Sequence, residues 1–565
     1  EHVIALANAE IGQHEIILSS GANGECKRMI CVCAADKPNY NLRRMKLTLR
    51  THRIGLVFLA LLGFVFTLVT TWKFGAGVSS DAVRALGTAE SLLAGRGFVD
   101  NVGTPYVHWP PLYPMLLAGL GFLTRLDVFH VGWVLNLILF PLNIMLWGRL
   151  LERIFPEKLH YALWINAATV ISTSMLRIYA NIASDPLFVT TMILFFLVAA
   201  DYLEAPSSRS LWWMFAIAGL SILQRYLGVV LFGVGGLVVL VRHGWRGLPK
   251  LILPASLSFL PTVAWLFLHN YLRYQTVFGP REYNEMWPLE NISLSLTKVL
   301  HWFLPYLPGL KPLMLQPWTL ILPLVAIVAL INLKWRENWS AWGRALAGRF
   351  VWPALVFAVA YYFLLAYTVN TIDHRDLTSD RYYIIIFPLI LIFLFLSYEH
   401  LIAPLLTTKT LRVGILLVAL AWFVYPAYSM QEYLRLALVN GEPSNYNIYN
   451  STHFMDMAVT RKGRQLVDAD PNATFYTNYV NLLWFQYKRP IHPLPAVNND
   501  LPQDQRLSIL RKTYPGWPGA ETGYIIWYTP NEYKYLAPIE DLKELAHLEL
   551  IYEDDDGQMY RVSGK

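Results

Sequence analysis

Charged residues are scarce in this chain. They make up 15% of its 565 residues, whereas 55% are hydrophobic, and a soluble protein carries about 25% charged residues. The mean hydropathy is correspondingly positive, at +0.37. This composition excludes an ordinary soluble protein and favours a chain that crosses a membrane several times.

Cysteine and the common motifs of soluble enzymes are also nearly absent. Cys26, Cys31 and Cys33 are the only cysteines, and all precede the first long apolar run. No fourth ligand has zinc-like spacing to them, and the rest of the chain can form no disulfide framework. The sequence has no G-x-G-x-x-G, Walker A, G-x-S-x-G or H-E-x-x-H pattern, which argues against ATP-driven transport by this chain alone.

What the sequence does have is a series of apolar runs, most of which approach or reach the roughly 17–25 residues that span a bilayer. Those without Asp, Glu, Lys or Arg are 54–72, 131–148, 161–176, 186–200, 251–268, 318–331, 351–369, 384–396 and 413–428. A further run, 211–241, carries Arg225 in its middle, so we expect two short spans that turn there. The sequence therefore predicts a mainly α, polytopic membrane protein with about 11 (about 11–13) transmembrane helices plus juxtamembrane helices.

Basic residues set the expected orientation. The flank 43–53 is dense in Arg and Lys, so the positive-inside rule places the N-terminus in the cytoplasm. The expected location of the protein is the plasma (inner) membrane. Residues 1–44 are either native or an extension or tag ahead of a natural start at Met45. The run 110–124 is short for a membrane crossing. If it is a juxtamembrane helix rather than a span, the basic loops that follow it along the chain lie on the cytoplasmic side, as the positive-inside rule requires. The net charge of +7 then requires no nucleic acid partner.

Three regions are expected along the chain. They are a cytoplasmic segment 1–53, a transmembrane module 54–428 with external loops 75–130, 271–317 and 370–382, and an extracytoplasmic α/β domain 429–565. In the last region, strand-like "ATFYT", "GYIIWYT", "LELIYED" and "QMYRV" alternate with helix-like "YVNLLWFQY" and "PIEDLKELA". The sequons at Asn291, Asn450 and Asn472 would lie outside, open to modification in an organism with that machinery.

The stretch "SSDAVRALGTAESLLAGRGF" follows the first span directly. Ser79 or Ser80 can cap a helix there, and Asp81 falls in its first turn, near the positive end of the helix dipole. Two glycines end the helix, and its apolar side consists of Val83, Leu86, Ala89 and Leu93. Asp81 is therefore either a helix-capping acid or a functional carboxylate held just outside the membrane.

A second acid has an equivalent position. Asp185 in "RIYANIASDPLFVTTM" precedes an apolar span, and the predicted topology puts it on the same side of the membrane as Asp81. Between the two acids, "VHWPPLYPMLLAGL" opens the expected juxtamembrane helix, with His108 just before it.

An acid that opens a juxtamembrane helix ending in "GRGF", then "PPLYPMLLA", then a second acid before a span, resembles the GT-C superfamily of integral-membrane glycosyltransferases. The most similar subgroup is the bacterial protein O-mannosyltransferase-like and aminoarabinose-transferase-like enzymes. The resemblance covers most of residues 54–400, and the soluble C-terminal region fits the layout of that group. It implies a GT-C fold and a sugar donor linked to polyprenyl phosphate.

The resemblance also implies roles for the two acids. Asp81 matches the catalytic acid of the first external loop, and Asp185 matches the acid that begins the fourth span. Other arms of the superfamily carry paired, metal-binding acids at these places, whereas here Ser80 and Ser184 precede single acids. No cofactor, including a divalent metal, is therefore expected.

Three basic residues are expected to bind the phosphate of the donor: Arg225 in "RYLG", Arg381 in "RYYIIIFP", and His108. The plainer alternative for Arg225 is snorkelling to lipid headgroups. For Arg381 it is a surface ion pair with Asp380 or Asp376. The neighbouring tyrosines 382 and 383 are expected to be interfacial belt residues, and the loop 271–317 is a candidate lid.

The resemblance, together with these residues, implies a glycosyltransferase that moves a hexosyl or pentosyl group to a lipid, glycan or protein acceptor on the extracytoplasmic side. Asp81 would act as the general base, with inversion at the anomeric carbon. Membrane lipids are the other expected partners. The alternatives are a multi-span transporter or flippase of a lipid-linked or anionic substrate, whose inverted repeats the sequence lacks, and a catalytically inactive GT-C relative.

Overall fold

The computed structural model describes residues 37–279, 288–303, 336–371, 380–405, 408–440, 449–450, 452–519, 523–529 and 535–564. Its helices, in chain order, are α1 Lys37–Thr70, α2 Ser80–Leu93, α3 Leu112–Thr124, α4 Val128–Ile154, α5 Leu159–Val170, α6 Thr173–Ala180, α7 Asp185–Glu204, α8 Ser208–Gln224, α9 Val229–His243, α10 Leu248–Val263, α11 Leu272–Tyr274, α12 Pro288–His301, α13 Arg336–Leu346, α14 Trp352–Thr371, α15 Phe387–Ser397, α16 Lys409–Asn440, α17 Thr452–Asp456, α18 Ala458–Ala469, α19 Val480–Tyr487, α20 Gln503–Thr513 and α21 Ile539–Leu545.

Six helical stretches in the described residues are long and apolar enough to cross a membrane: Leu49–Thr70, Val128–Ile154, Asp185–Glu204, Tyr226–Tyr274, Ile384–Ile402 and Val413–Val439. The fourth of these turns at Gly244, where a φ of +60° favours glycine. Two shorter apolar helices, Leu112–Thr124 and Trp352–Thr368, accompany them. The expected run 318–331 and the cysteines lie outside the described residues, and the count of about 11 spans stays a prediction.

The structure corrects one predicted span and supports another. The run 161–176 is not one helix, because α5 ends at Val170 and Ser172 caps α6 with its side chain, which accepts from the N–H of Met175. The run 211–241 does break at Arg225, as predicted, since α8 ends at Gln224 and the backbone of Arg225 is extended. Close packing follows the break: a Cβ on Gly228 would lie 2.4 Å from the backbone of Ser221.

The C-terminal region is the predicted α/β domain. Its strands are β1 Thr474–Thr477, β2 His492–Pro493, β3 Gly523–Tyr528, β4 Ala546–Asp554 and β5 Gly557–Gly564. They form one sheet in the order β2-β1-β3-β5-β4. β1 runs parallel to β2 and β3, and β5 pairs antiparallel with β3 and β4. The four predicted strand segments and the two predicted helices, α19 and α21, are all present.

A short extended segment after α1 joins the helical module to this domain. On one side the N–H of Gly77 donates to the carbonyl of Ala180 (2.8 Å), and the carbonyl of Gly77 accepts from Ile182 (2.9 Å). On the other side, the carbonyl of Val78 accepts from the N–H of Tyr449 (2.8 Å). The segment that leads to Asp81 is thus held between the loop before α7 and the start of the C-terminal domain.

Asn450 is the anchor of this junction. Its Oδ1 accepts from the N–H of Val78 at 3.0 Å, and its Nδ2 donates to the carbonyls of Phe74 (3.0 Å) and Ala76 (2.8 Å). The residue is only 3% exposed. Of the three sequon asparagines, Asn450 is therefore inaccessible to a glycosylating enzyme in the folded protein, whereas Asn472 is exposed.

We expect Asn450→Ala to destabilise the junction, because it leaves one backbone donor and two backbone acceptors without this partner. Each buried group left unsatisfied costs about 1–3 kcal/mol. The unfolding midpoint of the purified protein in detergent, together with its susceptibility to proteolysis between the two regions, measures the effect. Asn472→Ala is the matched control, and an equal response of the two variants would contradict the anchoring role.

Candidate active site

Asp81 lies where the sequence predicted, in the first turn of α2. Ser79 caps the helix with its side chain, which accepts from the N–H of Ala82. Val83, Leu86 and Ala89 form a fully buried face. The predicted fourth member of that face, Leu93, is instead 45% exposed, because it is the last residue of the helix. The buried face fixes α2, and the carboxylate of Asp81 remains 35% exposed beyond it.

Asp185 is far more deeply placed. It begins α7, with Ser184 before it, and is 1% exposed. Asn143 of α4 holds the start of α7, since its Nδ2 donates to the carbonyl of Pro186 at 3.1 Å and its Oδ1 accepts from the hydroxyl of Thr190 at 2.8 Å. A polar side chain in a membrane helix thus secures the turn that presents the acid.

Arg225 is the partner of Asp185. Its Nη1 forms an ion pair and hydrogen bond with Oδ1 of Asp185, and its side chain is 12% exposed. The preceding residue is held in place as well, because Oε1 of Gln224 accepts from the hydroxyl of Thr191 on α7 at 3.0 Å. Arg225 therefore does not snorkel to lipid headgroups, which was its plainer alternative.

Arg381 is the partner of Asp81. Its Nη2 lies 2.8 Å from Oδ2 of Asp81 and also donates to the hydroxyl of Tyr382 at 3.0 Å. The alternative partner Asp376 and the side chain of Asp380 lie outside the described residues. Asp81 and Arg381 come from opposite ends of the helical module, and folding brings them into direct contact.

Tyr382 joins the two ion pairs into one cluster. Its ring centroid lies 4.7 Å from the guanidinium carbon of Arg381 and 5.5 Å from that of Arg225. Tyr383 is buried, with 2% exposure, so the prediction that it is an interfacial belt residue is wrong. For Tyr382, which belongs to the charged cluster, the same assignment stays a prediction.

The charge of Arg381 is stabilised by this arrangement. Burial disfavours its charge, but Tyr382 and the carboxylates of Asp81 and Asp185 together raise the pKa of Arg381 well above its ordinary value. Its Nε is buried and has no hydrogen-bond partner among the described residues. Arg381 therefore carries a fixed positive charge and a donor that the described residues leave unused.

His108 lies at the edge of this region. Its ring packs beside Trp109, with centroids 5.2 Å apart, and against Gly279, where a Cβ would lie 2.8 Å from the ring atoms. Trp109 in turn lies under the guanidinium of Arg84, at 5.3 Å, one helical turn from Asp81. His108 thus neighbours residues that pack on α2, and its binding of phosphate stays a prediction.

Sequence reasoning missed Tyr106 as well as Tyr382. Tyr106 is 4% exposed, and burial, followed by the nearby Asp81 carboxylate, raises its pKa. Its hydroxyl stays protonated and can donate. The available signal was the spacing of Tyr106 and His108 before the "PPLYP" helix, two polar rings beside an apolar segment.

A metal site is not apparent in the part of the chain that the structure describes. No three His, Cys, Asp or Glu side chains converge there as ligands would. Asp81 and Asp185 instead each face an arginine. What the described geometry offers is two carboxylates and two guanidinium groups around one phenol ring.

The charged cluster thus belongs to a bundle of apolar helices that is followed by a small C-terminal α/β domain. No protein-family model matches the chain, and a search of curated proteins finds no relative. Solved structures do match. ArnT from Cupriavidus metallidurans bound to undecaprenyl phosphate superimposes with a TM-score of 0.54 and 15% identity, over 89% of this chain and 97% of that one.

A second match extends the comparison. The Archaeoglobus fulgidus oligosaccharyltransferase AglB, in complex with an inhibitory peptide and a dolichol-phosphate, gives a TM-score of 0.50 and 11% identity, over 90% of this chain and 74% of that one. Both are GT-C glycosyltransferases. The chain therefore has the GT-C fold, which confirms the fold predicted from the "SSDAVRALG", "PPLYP" and "SDPLF" segments.

The two ion pairs should respond differently to loss of a carboxylate. Asp185→Asn leaves the buried Arg225 without its partner, which costs about 3–5 kcal/mol for buried pairs. Asp81→Asn breaks a partly exposed pair, for which about 0–1 kcal/mol is typical. The free energy of unfolding in detergent measures both. Equal losses, or a larger loss for Asp81→Asn, would contradict the scaffolding role of the Asp185–Arg225 pair.

Proposed function

We propose that this protein is a glycosyltransferase that transfers a sugar from a polyprenyl-phosphate-linked donor to an acceptor on the extracytoplasmic side of the plasma membrane, with inversion. The observation that carries the proposal is the contact of Asp81 with Arg381 at 2.8 Å, beside the Arg225–Asp185 pair. This arrangement places an accessible carboxylate next to fixed positive charges. The polyprenyl phosphates in the matched ArnT and AglB structures support the choice of donor.

In this proposal Asp81 is the general base. Its carboxylate is 35% exposed, so an acceptor hydroxyl can come within the roughly 2.6–3.2 Å that proton transfer requires. Transfer passes through an oxocarbenium-like transition state, by analogy with glycoside hydrolysis. Attack by the activated hydroxyl opposite the departing phosphate inverts the anomeric carbon, and the proton goes to Asp81.

The arginines hold the leaving group. A phosphate oxygen carries the charge that develops as the glycosidic bond breaks, and guanidinium groups stabilise it through charge-assisted hydrogen bonds. The unused Nε of Arg381 points to this role. A donor phosphate that binds Arg381 would compete with Asp81 for the guanidinium, which frees the carboxylate to act as a base once the donor is bound.

Asp185 has a supporting role in this proposal. Asp185 is 1% exposed and paired with Arg225, so it holds the Arg225 guanidinium in place. Through that guanidinium it supports the position of Asp81. His108 would add a further contact to the donor phosphate. The acceptor is a lipid, a glycan or a protein, and the reaction needs no metal in this scheme.

Asp81→Asn tests the base. We expect transfer of labelled sugar from polyprenyl-phosphate donors to a membrane extract to fall by the roughly 10²–10⁴-fold typical of general bases, with an unchanged elution profile of the protein. Asp504→Asn is the control, since Asp504 is also an acid in the first turn of a helix but is exposed on α20. Equal transfer by wild type and Asp81→Asn would remove Asp81 from the mechanism.

Arg381→Lys tests the donor contact. Lysine keeps the charge but loses Nε and the planar fork of donors. A lost charge-assisted hydrogen bond is worth about 1.5–3 kcal/mol, so the KM for the donor should rise by roughly 10–100-fold while the KM for the acceptor changes little. Arg349→Lys is the control, because Arg349 forms an exposed pair with Glu204 at 2.9 Å. A change confined to the acceptor KM would contradict the assignment.

A further inference from the structure

A second basic site lies inside the helical module. A cavity of about 350 Å³ is lined by residues of α5, α6, α12 and α16 and by the first residue of α15. Arg177, Lys298 and His301 line it, together with the aromatic side chains of Trp302, Trp422 and Tyr425. None of these residues belongs to the Asp81–Arg381 and Asp185–Arg225 cluster.

The described lining of the cavity contains three basic side chains, Arg177, Lys298 and His301, and no carboxylate. Lys298 forms neither an ion pair nor a hydrogen bond with a described residue. Arg177 contributes a guanidinium that lies over the ring of Tyr433 at 5.6 Å. Because a cation in a membrane protein normally pairs with an anion, Lys298 in this lining favours a negatively charged ligand.

A buried donor points the same way. Trp302 is 7% exposed, and its indole N–H has no acceptor among the described residues. A buried donor without an acceptor is costly, and a ligand oxygen in the cavity would satisfy it. The hydroxyl of Ser429 lines the same space, whereas the hydroxyl of Tyr425 already donates to the carbonyl of His301 at 3.3 Å. Cationic groups with N–H and O–H donors around one cavity are what a phosphate binds.

The cavity is lined by residues that are close in sequence to those of the proposed active site. Arg177 belongs to α6, and the loop that follows α6 leads directly to Asp185. Phe387, at the start of α15, follows the turn that carries Arg381. A ligand in the cavity would therefore contact both segments that carry the charged cluster, while leaving Asp81 and Arg381 free.

We propose that this cavity binds the phosphate group of an anionic lipid, as a second site separate from the donor phosphate held by Arg225 and Arg381. The basic residues and the Trp302 N–H bind the phosphate oxygens, and the aromatic residues Trp422 and Tyr425 of α16 pack against the adjoining apolar chain. This proposal goes beyond the proposed function and does not depend on it.

Native mass spectrometry of the full-length protein in detergent tests the site, with farnesyl phosphate and dioctanoyl phosphatidic acid as probes. We expect Lys298→Gln to weaken one binding event by roughly 10–100-fold, the loss typical of a charge-assisted hydrogen bond, and Lys298→Arg to preserve it. Lys250→Gln is the matched control, since Lys250 is exposed on α10. An unchanged melting temperature of Lys298→Gln shows that it is folded.

Further arms identify the ligand and separate the two proposals. Displacement of the probes by inorganic phosphate at equal concentration would assign the site to free phosphate, whereas retention would assign it to the lipid. Unchanged binding by Lys298→Gln, or equal binding of uncharged dioctanoylglycerol, would overturn the proposal. Arg381→Lys should weaken a different binding event. If only Lys298→Gln has an effect, the cavity site stands and the donor site proposed above fails.

Discussion

Two arginines near the end of an apolar helix bundle impose the constraint on which the site depends. A charge inside a transmembrane segment costs about 2.5–3.5 kcal/mol on insertion scales, and a buried charge without a partner is more costly than a buried pair. Arg225 and Arg381 each have as partner a carboxylate at the start of a helix distant in sequence. Since these carboxylates lie in the first turns of α2 and α7, neutralising the arginines also fixes where those two helices begin. Tyr382, between the two guanidinium groups, completes the arrangement.

The C-terminal domain shares in this positioning through backbone contacts. The extended segment before α2 has the loop before α7 on one side and Tyr449 and Asn450 on the other. Further along α2, Glu90 lies 3.6 Å from Lys488 of the C-terminal domain. Burial raises the pKa of Glu90, and Lys488 opposes that shift, as expected for a carboxylate partly covered by a docked domain. The domain therefore packs against the segment and the helix that position Asp81.

The sequence predicted what depends on local pattern and missed what depends on long-range contact. The break at Arg225 followed from a charge in an overlong apolar run, and the C-terminal strands from alternating patterns. The break at Ser172 was missed because a capping serine inside an apolar run is a weak signal. Tyr382 was assigned to the membrane interface because that is where an amphipathic ring is usually found. Its contact with Arg225 arises only when two segments that are distant in the chain meet.

The two ion pairs differ in solvent exposure, and this difference gives them different roles in the proposed reaction. The side chains of Asp185 and Arg225 are 2% and 12% exposed, whereas those of Asp81 and Arg381 are 35% and 23% exposed. A buried pair exchanges partners at a high cost, because either group would be left without solvent or a counter-charge. A partly exposed pair can open, since water or a ligand replaces the lost contact. In the proposed reaction only the Asp81–Arg381 pair can therefore give its arginine to a phosphate and its carboxylate to a hydroxyl, while the buried pair keeps the geometry fixed.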